Sequence, residues 1–430
     1  MISRIRSLLR SKLGGNILSL FLLQGFTYLL PMITVPYLVR VLGAEKFGVT
    51  AFASAIVIFF NILVDYGFNL SATRAVAVAA ANQDTQKISE TFSAVMSVKA
   101  ILASIGFCVL FLLVAFIPAM RQEASLYLLV YLVVVGNVLF PVWFFQGMGQ
   151  MKYLTVVNVI SRSCMVAGIL LFVKDSSDYV VAAGVQSGSF VLAGIVSWFF
   201  IRKVADIRFY IPSIDSMRVA LQEGWHVFLS TVAISFYTNS ATFILGLMVS
   251  PVALGYFAAA EKIIKMVNEL ILPISQSVYP HIAGIKEHSA EQALVFIKKL
   301  ILVQGGITLG VSLLLFTLAD MIVWLIFGNA YAASVIILRI MAFMPFAIGL
   351  SNVFGIQIML NFGLKAEFSK VVIISGLLNI LMIIPLSYYH GAAGAASSIL
   401  LAECFVTVSM FLILVKNKLL NWPMAGRVYE

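Results

Sequence analysis

The chain has 430 residues, 62% hydrophobic and 11% charged, with a mean hydropathy of +1.05. Soluble domains carry about 25% charged residues, so this composition excludes a soluble fold and indicates an integral membrane protein. The net charge of +10 is scattered singly over short connections rather than gathered on one face, which argues against nucleic acid as a partner.

The chain opens with Arg4, Arg6, Arg10 and Lys12 ahead of an apolar run. The run, 17–39, is too long for a signal-peptide core and more spans follow it, so it reads as the first transmembrane helix. A window of about twenty residues places the spans at 17–39, 47–69, 92–118, 124–148, 152–173, 179–201, 221–249, 252–280, 295–327, 331–361, 366–388 and 391–415. Their continuous apolar character, without alternation, excludes membrane β-strands. The expected fold is all-α, about twelve transmembrane helices in two pseudo-symmetric six-helix bundles around a central cavity.

Between the second and third spans, Ser71–Glu90 sets Arg74, Gln83, Asp84, Gln86, Lys87 and Glu90 among alanines. It reads as an amphipathic helix on the cytoplasmic surface. A polar linker, 202–220, separates an N-terminal bundle (1–201) from a C-terminal one (221–430). With the N-terminus cytoplasmic, nineteen basic residues fall on cytoplasmic segments and four, Arg40, Lys46, Arg121 and Lys174, on the other side. That bias puts both termini in the cytoplasm. Lys99, Arg162, Lys262, Lys265 and Arg339 remain at membrane depth.

Sliding the second half back by 207 residues aligns Gly48 with Gly255, Asn61 with Asn268 and several apolar positions, without a gap over the first two helices of each half. The repeat axis would lie along the membrane normal.

The eighth span, Val252–Pro280, carries Glu261, Lys262, Lys265 and Glu269. A charged group in a bilayer costs at least a few kcal/mol, about 3 on insertion scales, and persists where it faces protein or water. Glu261, Lys265 and Glu269 are spaced i, i+4, i+8 and share one helical face. Glu261 and Lys265 either support the helix as a pair or serve as part of an ion site. Arg162 and Glu403 lie near the middle of their spans, and either pair structurally or act on a ligand. Asp65 lies toward the cytoplasmic end of the second span and Arg40 at the outer rim of the first. Lys99 and Asp320 lie nearer their interfaces and are expected to snorkel. The cations Arg40, Arg162, Lys262, Lys265 and Arg339 suit an anionic substrate. The carboxylates Asp65, Glu261 and Glu269 suit a coupling proton or cation.

Pro31, Pro36, Pro141, Pro273, Pro345 and Pro385 are expected to kink their helices. Trp143, Phe144 and Phe145 read as an interfacial aromatic belt. Cys108, Cys164 and Cys404 are far apart in apolar runs, which argues against disulfides or a thiolate metal site. No zinc motif or P-loop is present, so no metal or cofactor is expected.

Five stretches carry a family resemblance: LVRVLGAEKFG (Leu38–Gly48), DYGFNLSATR (Asp65–Arg74), FPVWFFQG (Phe140–Gly147), YTNSATFILG (Tyr237–Gly246) and GYFAAAEK (Gly255–Lys262). With them the chain resembles the O-antigen and polysaccharide flippases of the multidrug/oligosaccharidyl-lipid/polysaccharide exporter superfamily. The resemblance implies a non-enzymatic flippase of the bacterial inner membrane. It would move an undecaprenyl-diphosphate-linked oligosaccharide from the cytoplasmic to the periplasmic leaflet by alternating access, coupled to a proton or sodium gradient. The implied partners are the lipid-linked oligosaccharide and membrane lipids, together with polysaccharide polymerase and chain-length proteins. Two other readings are a multidrug or cation antiporter of the same fold, disfavoured by the excess of buried cations, and a membrane glycosyltransferase or polymerase, disfavoured by the short outer loops.

Overall fold

The computed structural model describes residues 12–204 and 207–420; Arg4, Arg6, Arg10 and Arg427 lie outside the described residues. Every regular element among the described residues is helical. A bilayer enforces this, because a backbone N–H or C=O with no water to meet must be satisfied within its own segment. In chain order the elements are α1 (Lys12–Asp65), α2 (Phe68–Ala81), α3 (Thr85–Phe116), α4 (Ala124–Gly147), α5 (Met151–Phe172), α6 (Tyr179–Val204) and α7 (Ile214–Met248). They continue with α8 (Pro251–Glu269), α9 (Leu272–His288), α10 (Ala290–Thr317), α11 (Ala319–Phe327), α12 (Ser334–Leu360) and α13 (Lys365–Lys416).

Eight stretches are long and apolar enough to cross a membrane. Two of these contain two arms each, since α1 breaks at Gly43 (φ 69°, ψ 171°) and α13 at Gly391 (φ 54°, ψ −132°), backbone conformations open to glycine. Counting both arms of each, and adding α7 with 35 residues and α8 with 19, the described residues supply twelve crossing segments.

Prolines divide several spans. The expected single helix over Val252–Pro280 is two, α8 and α9, separated at Leu270–Ile271, with Pro273 in the first turn of α9. Proline is tolerated there because its missing N–H would be unpaired anyway. Within α4 the helix stops at Leu139 and restarts at Val142, around Pro141. Within α12 a new helical piece starts at Met344, with Pro345 in its first turn, and its last eight residues, Val353–Leu360, are wound as π-helix.

Ser71–Glu90 is not one surface helix. α2 ends at Ala81, Gln83 takes a positive φ, and Asp84 starts α3 by accepting a hydrogen bond from the Lys87 amide at 2.8 Å. The N-cap carboxylate outcompeted the helical continuation that the alanine-rich pattern suggested. Trp143, Phe144 and Phe145 form no interfacial belt either. All three are fully buried against Phe68, Ile88, Phe92 and Ile201, because the break at Pro141 turns 142–147 inward onto α2.

The described chain divides into two compact units: unit 1 takes residues up to Leu42 and Val49–Ser235, and unit 2 takes Gly43–Gly48 and Phe236 onward. Unit 1 packs around the Phe92–Trp143–Phe144 cluster and unit 2 around Ile282, Ile297, Phe354, Ile358 and Met410. Phe111, Phe116, Leu171 and Phe199 in unit 1, and Leu302, Leu381 and Leu412 in unit 2, are exposed, which suits hydrocarbon and not water. Neutral polar groups join helices inside unit 2. Gln357 donates to the Ser275 carbonyl at 3.0 Å, Gln304 to the Gly349 carbonyl at 2.9 Å, and Ser398 to Asn379 Oδ1 at 2.8 Å.

The two glycines aligned by the 207-residue repeat meet within unit 2. A Cβ on Gly48 would stand 1.9 Å from the Pro251 carbonyl oxygen, and a Cβ on Gly255 would stand 1.9 Å from that of Ala44. Residues 44 and 251 are themselves repeat equivalents. Such reciprocity is what a local two-fold relation between segments 44–48 and 251–255 produces. The Gly48–Gly255 identity is thereby given a physical counterpart.

Candidate functional site

Each unit holds a cavity whose lining includes charged and amide side chains. In unit 1 the cavity measures about 310 Å³ and is lined from α1, α2, α4, α5 and α6, among others by Asp65, Asn69, Asn137, Phe140, Asn158 and Arg162. Behind its wall runs a chain of side-chain bonds. Lys99 of α3, with only 1% of its side chain exposed, approaches Asp65 Oδ1 at 3.3 Å and donates to Asn137 Oδ1 at 2.6 Å and to the Asn137 carbonyl at 3.3 Å. Asn137 then donates from Nδ2 to Asn61 Oδ1 at 2.9 Å. A lysine this deep would be unstable as a cation alone, and the carboxylate with two carbonyl acceptors replaces its lost water. The expectation that Lys99 snorkels is therefore wrong: its ammonium has better acceptors inside unit 1 than the headgroup region would require it to reach.

The helices that carry Arg162 and Ser189 are joined by a tied connection. Asp175 caps the turn Ser176–Asp178, accepting from the Ser177 amide at 2.8 Å and hydroxyl at 2.6 Å, and these bonds hold its carboxyl below the usual carboxylate range. The Lys174 amide donates to Asp178 at 2.8 Å. The relative placement of α5 and α6 is thus fixed at one end, about three turns along each helix from Arg162 and Ser189.

In unit 2 a smaller cavity of about 160 Å³ is lined by Glu261, Lys265, Asn268 and Glu403, together with Met341 and Met344. Glu261 is buried, bonded by Lys265 Nζ at 2.9 Å on one oxygen and by the Thr242 hydroxyl at 3.2 Å on the other. Of the two readings left by the sequence, the i, i+4 pair is the one formed. Asn268 Oδ1 is buried without a hydrogen-bond partner among the described residues. At the 207-residue offset Asn268 matches Asn61, but Glu261, Lys262, Lys265 and Glu269 fall opposite Ser54, Ala55, Ile58 and Ile62. The charges of α8 are therefore an addition to one half of the repeat, not part of its common framework.

Of the expected site residues, Asp65 and Arg162 come together at the unit 1 cavity, and Glu261 and Lys265 at the unit 2 cavity. Arg40, Lys262, Glu269 and Arg339 line neither. Lys262 and Glu269 are exposed on α8, Arg40 is exposed on α1, and Arg339 is bonded by Asp320. Asp320 thus meets a cation and does not merely reach for the interface. Glu403 lines the unit 2 cavity and Arg162 the unit 1 cavity. Asn137 and Asn158 escaped the sequence reading because a charge-based search passes over neutral amides. An amide at membrane depth is itself a signal, since it needs a partner or an aqueous face.

The family of polysaccharide biosynthesis proteins matches residues 13–286. A proposed O-antigen transporter of Escherichia coli (strain K12) is 37% identical over 95% of this chain and 98% of its own length. The chain belongs to the polysaccharide biosynthesis protein family. A proposed O-antigen transporter of Shigella dysenteriae is 30% identical over 92% of this chain and 98% of its own. Among solved structures, a lipid II flippase, MurJ, in an inward closed conformation superposes with a TM-score of 0.76, covering 95% of this chain and 88% of that one at 14% identity. An inward-facing multidrug resistance transporter of the MATE family gives 0.72, covering 90% and 94% at 15% identity. These likenesses carry the fold. Members of the family named here are transporters, not enzymes, and this chain is a multi-pass membrane protein of that kind.

Proposed function

We propose that the chain is a flippase for a polyprenyl-diphosphate-linked oligosaccharide. It moves the head group from the cytoplasmic to the periplasmic leaflet of the bacterial inner membrane by alternating access, with both termini cytoplasmic. The observation that carries the reading is the set of ionisable and amide side chains kept at membrane depth, in a chain whose relatives are named as O-antigen transporters. The exposed Lys262 is the cation offered to the diphosphate, and Arg162, on the wall of the unit 1 cavity, is offered to acidic parts of the head group. Arg40 contributes at the outer end of its helix. Lys265 and Arg339 are engaged by Glu261 and Asp320 and contribute only when those pairs open. Coupling to a proton or sodium gradient is assigned to Glu261, with Glu269 about two turns further along α8. Asp65 is the weaker candidate, because its cation, Lys99, is buried and held by Asn137 as well, whereas the Lys265 partner of Glu261 is 44% exposed and can swing away. Delivery to a polysaccharide polymerase with its chain-length protein follows as the next step.

The test is a leaflet-resolved assay in proteoliposomes with a fluorescent lipid-linked oligosaccharide. The wild-type chain moves it, and Lys262→Ala and Arg162→Ala each slow it about tenfold, the loss of roughly one charge-assisted hydrogen bond. Equal rates in empty and protein-containing vesicles would refute the reading.

A further inference from the structure

We infer that the unit 1 cavity reads one sugar ring of the transported head group, with Asn69 and Asn158 as specificity-determining residues; this rests on the chain being a flippase for a lipid-linked oligosaccharide. At about 310 Å³ the cavity is at the low end of ligand sites, which run from about 300 to 1,000 Å³. It suits a single ring, not a whole repeat unit.

Its chemistry is that of a hydroxyl-rich ligand. The Asn69 side-chain amide makes no hydrogen bond to any described residue. Asn158, in the cavity lining, donates from Nδ2 to the Leu154 carbonyl at 2.8 Å, four residues back on its own helix, which leaves its side-chain carbonyl available as an acceptor. An amide both donates and accepts, and so does each sugar hydroxyl. Phe140 and Phe190 add apolar wall suited to the C–H faces of a ring. The charge balance speaks against a diphosphate at this place. The carboxylate in the wall, Asp65, is neutralised from behind by Lys99, and Arg162 is the single cation in the lining, where a diphosphate calls for several. The unit 2 cavity is the poorer site: it has about half the volume, and its wall sets one amide, Asn268, among methionines, isoleucines and the Glu261–Lys265 pair.

Hydrogen-bonding pockets discriminate strongly, because a ligand that lacks a hydroxyl leaves the pocket's polar groups unpaired. Specificity therefore shows as a change in the ranking of substrates. Full-length wild-type chain and an Asn69→Ser/Asn158→Ser variant are expressed in a panel of transporter-deficient strains, each making a different repeat unit. Surface polysaccharide is measured per amount of chain in the membrane. Serine at 158 keeps a donor for the Leu154 carbonyl and removes only the side-chain carbonyl acceptor, so the helix is left intact. Asn158→Ser alone serves as a second variant if the pair lowers the membrane level.

The expected result is a change of about tenfold or more in the ratio of export between the best and another repeat unit, the factor that about 1.4 kcal/mol sets. Lys262→Ala, outside the cavity, lowers all repeat units by a common factor and leaves that ratio within about twofold. Export lowered by one common factor in both Ser variants, or unchanged export, overturns the sugar-reading assignment while leaving the flippase reading intact. Failure of the wild-type chain to restore any strain overturns both.

Discussion

Replacing Asp65 by asparagine tests how unit 1 tolerates its buried lysine. The substitution keeps size and one acceptor but removes the anion, leaving Lys99 at 1% side-chain exposure with only neutral acceptors, among them the two carbonyl oxygens of Asn137. Removing one partner of a buried ion pair costs about 3–5 kcal/mol. The converse, Lys99→Met, leaves Asp65 without its cation, but that side chain is 22% exposed and faces the cavity, so water can replace part of the lost interaction. About 2–3 kcal/mol is expected there. At about 2–4 °C per kcal/mol for a domain of 150–250 residues, Asp65→Asn lowers the apparent melting midpoint by roughly 10 °C and Lys99→Met by somewhat less. The double variant Asp65→Leu/Lys99→Met recovers most of the loss, because an apolar pair of similar volume removes both desolvation penalties. The assay is tryptophan emission on heating the purified protein in detergent, to which the fully buried Trp143 contributes. Midpoints within about 1 °C of wild type for both single variants, or losses that simply add in the double variant, would refute the reasoning.

Three further outcomes are expected. Gly48→Ala or Gly255→Ala puts a methyl group 1.9 Å from a backbone carbonyl oxygen, which no rotamer can relieve, so each destabilises unit 2 by about 1–3 kcal/mol; an unchanged midpoint would contradict the crossing. Lys265→Met lowers the midpoint more than Glu261→Gln, because it leaves the buried Glu261 carboxylate with only the Thr242 hydroxyl, whereas Lys265, 44% exposed, can be hydrated; the reverse order would sink this account. Asp320→Asn changes stability by less than about 1 kcal/mol, since both it and Arg339 are well exposed, and a larger loss would show the pair to be more deeply placed than it is.

Much of the fold was legible because hydrocarbon is an undemanding solvent to read. An apolar run of about twenty residues has one regular solution, and twelve such segments were placed from hydropathy. What hydropathy could not see was where a span is interrupted. Pro141, Pro273 and Pro345 were recognised as kinks, yet a kink and a break differ only in whether neighbours satisfy the freed carbonyls, which is a tertiary matter. The same holds for Trp143, whose amphipathic ring fits an interface as well as a core until the break at Pro141 turns it inward. At the site, Asp65, Glu261 and Arg162 were found because charge at membrane depth is conspicuous. Lys99 was misjudged because its partners lie 34 and 38 residues away along the chain, and no local pattern brings Asp65 and Asn137 together. The pair Glu261–Lys265, by contrast, sits at i, i+4 and could be weighed from the sequence directly.

That difference in spacing has a consequence for how the chain enters the membrane. Glu261 and Lys265 share one helix, so α8 can neutralise that pair internally as soon as it winds, whatever its neighbours are doing. Lys99 has no such means on α3. A lone lysine near the centre of an inserting helix costs about 2.5–3.5 kcal/mol, and its anion is on α1, which leaves the ribosome first, while Asn137 emerges later. Translation thus presents the carboxylate before the ammonium that needs it, and the second arm of α1, with Phe60 and Asp65, becomes a receiving surface for α3. Loss of Asp65 would then be felt during biogenesis as well as in the finished protein, as slower or misoriented insertion of the third crossing.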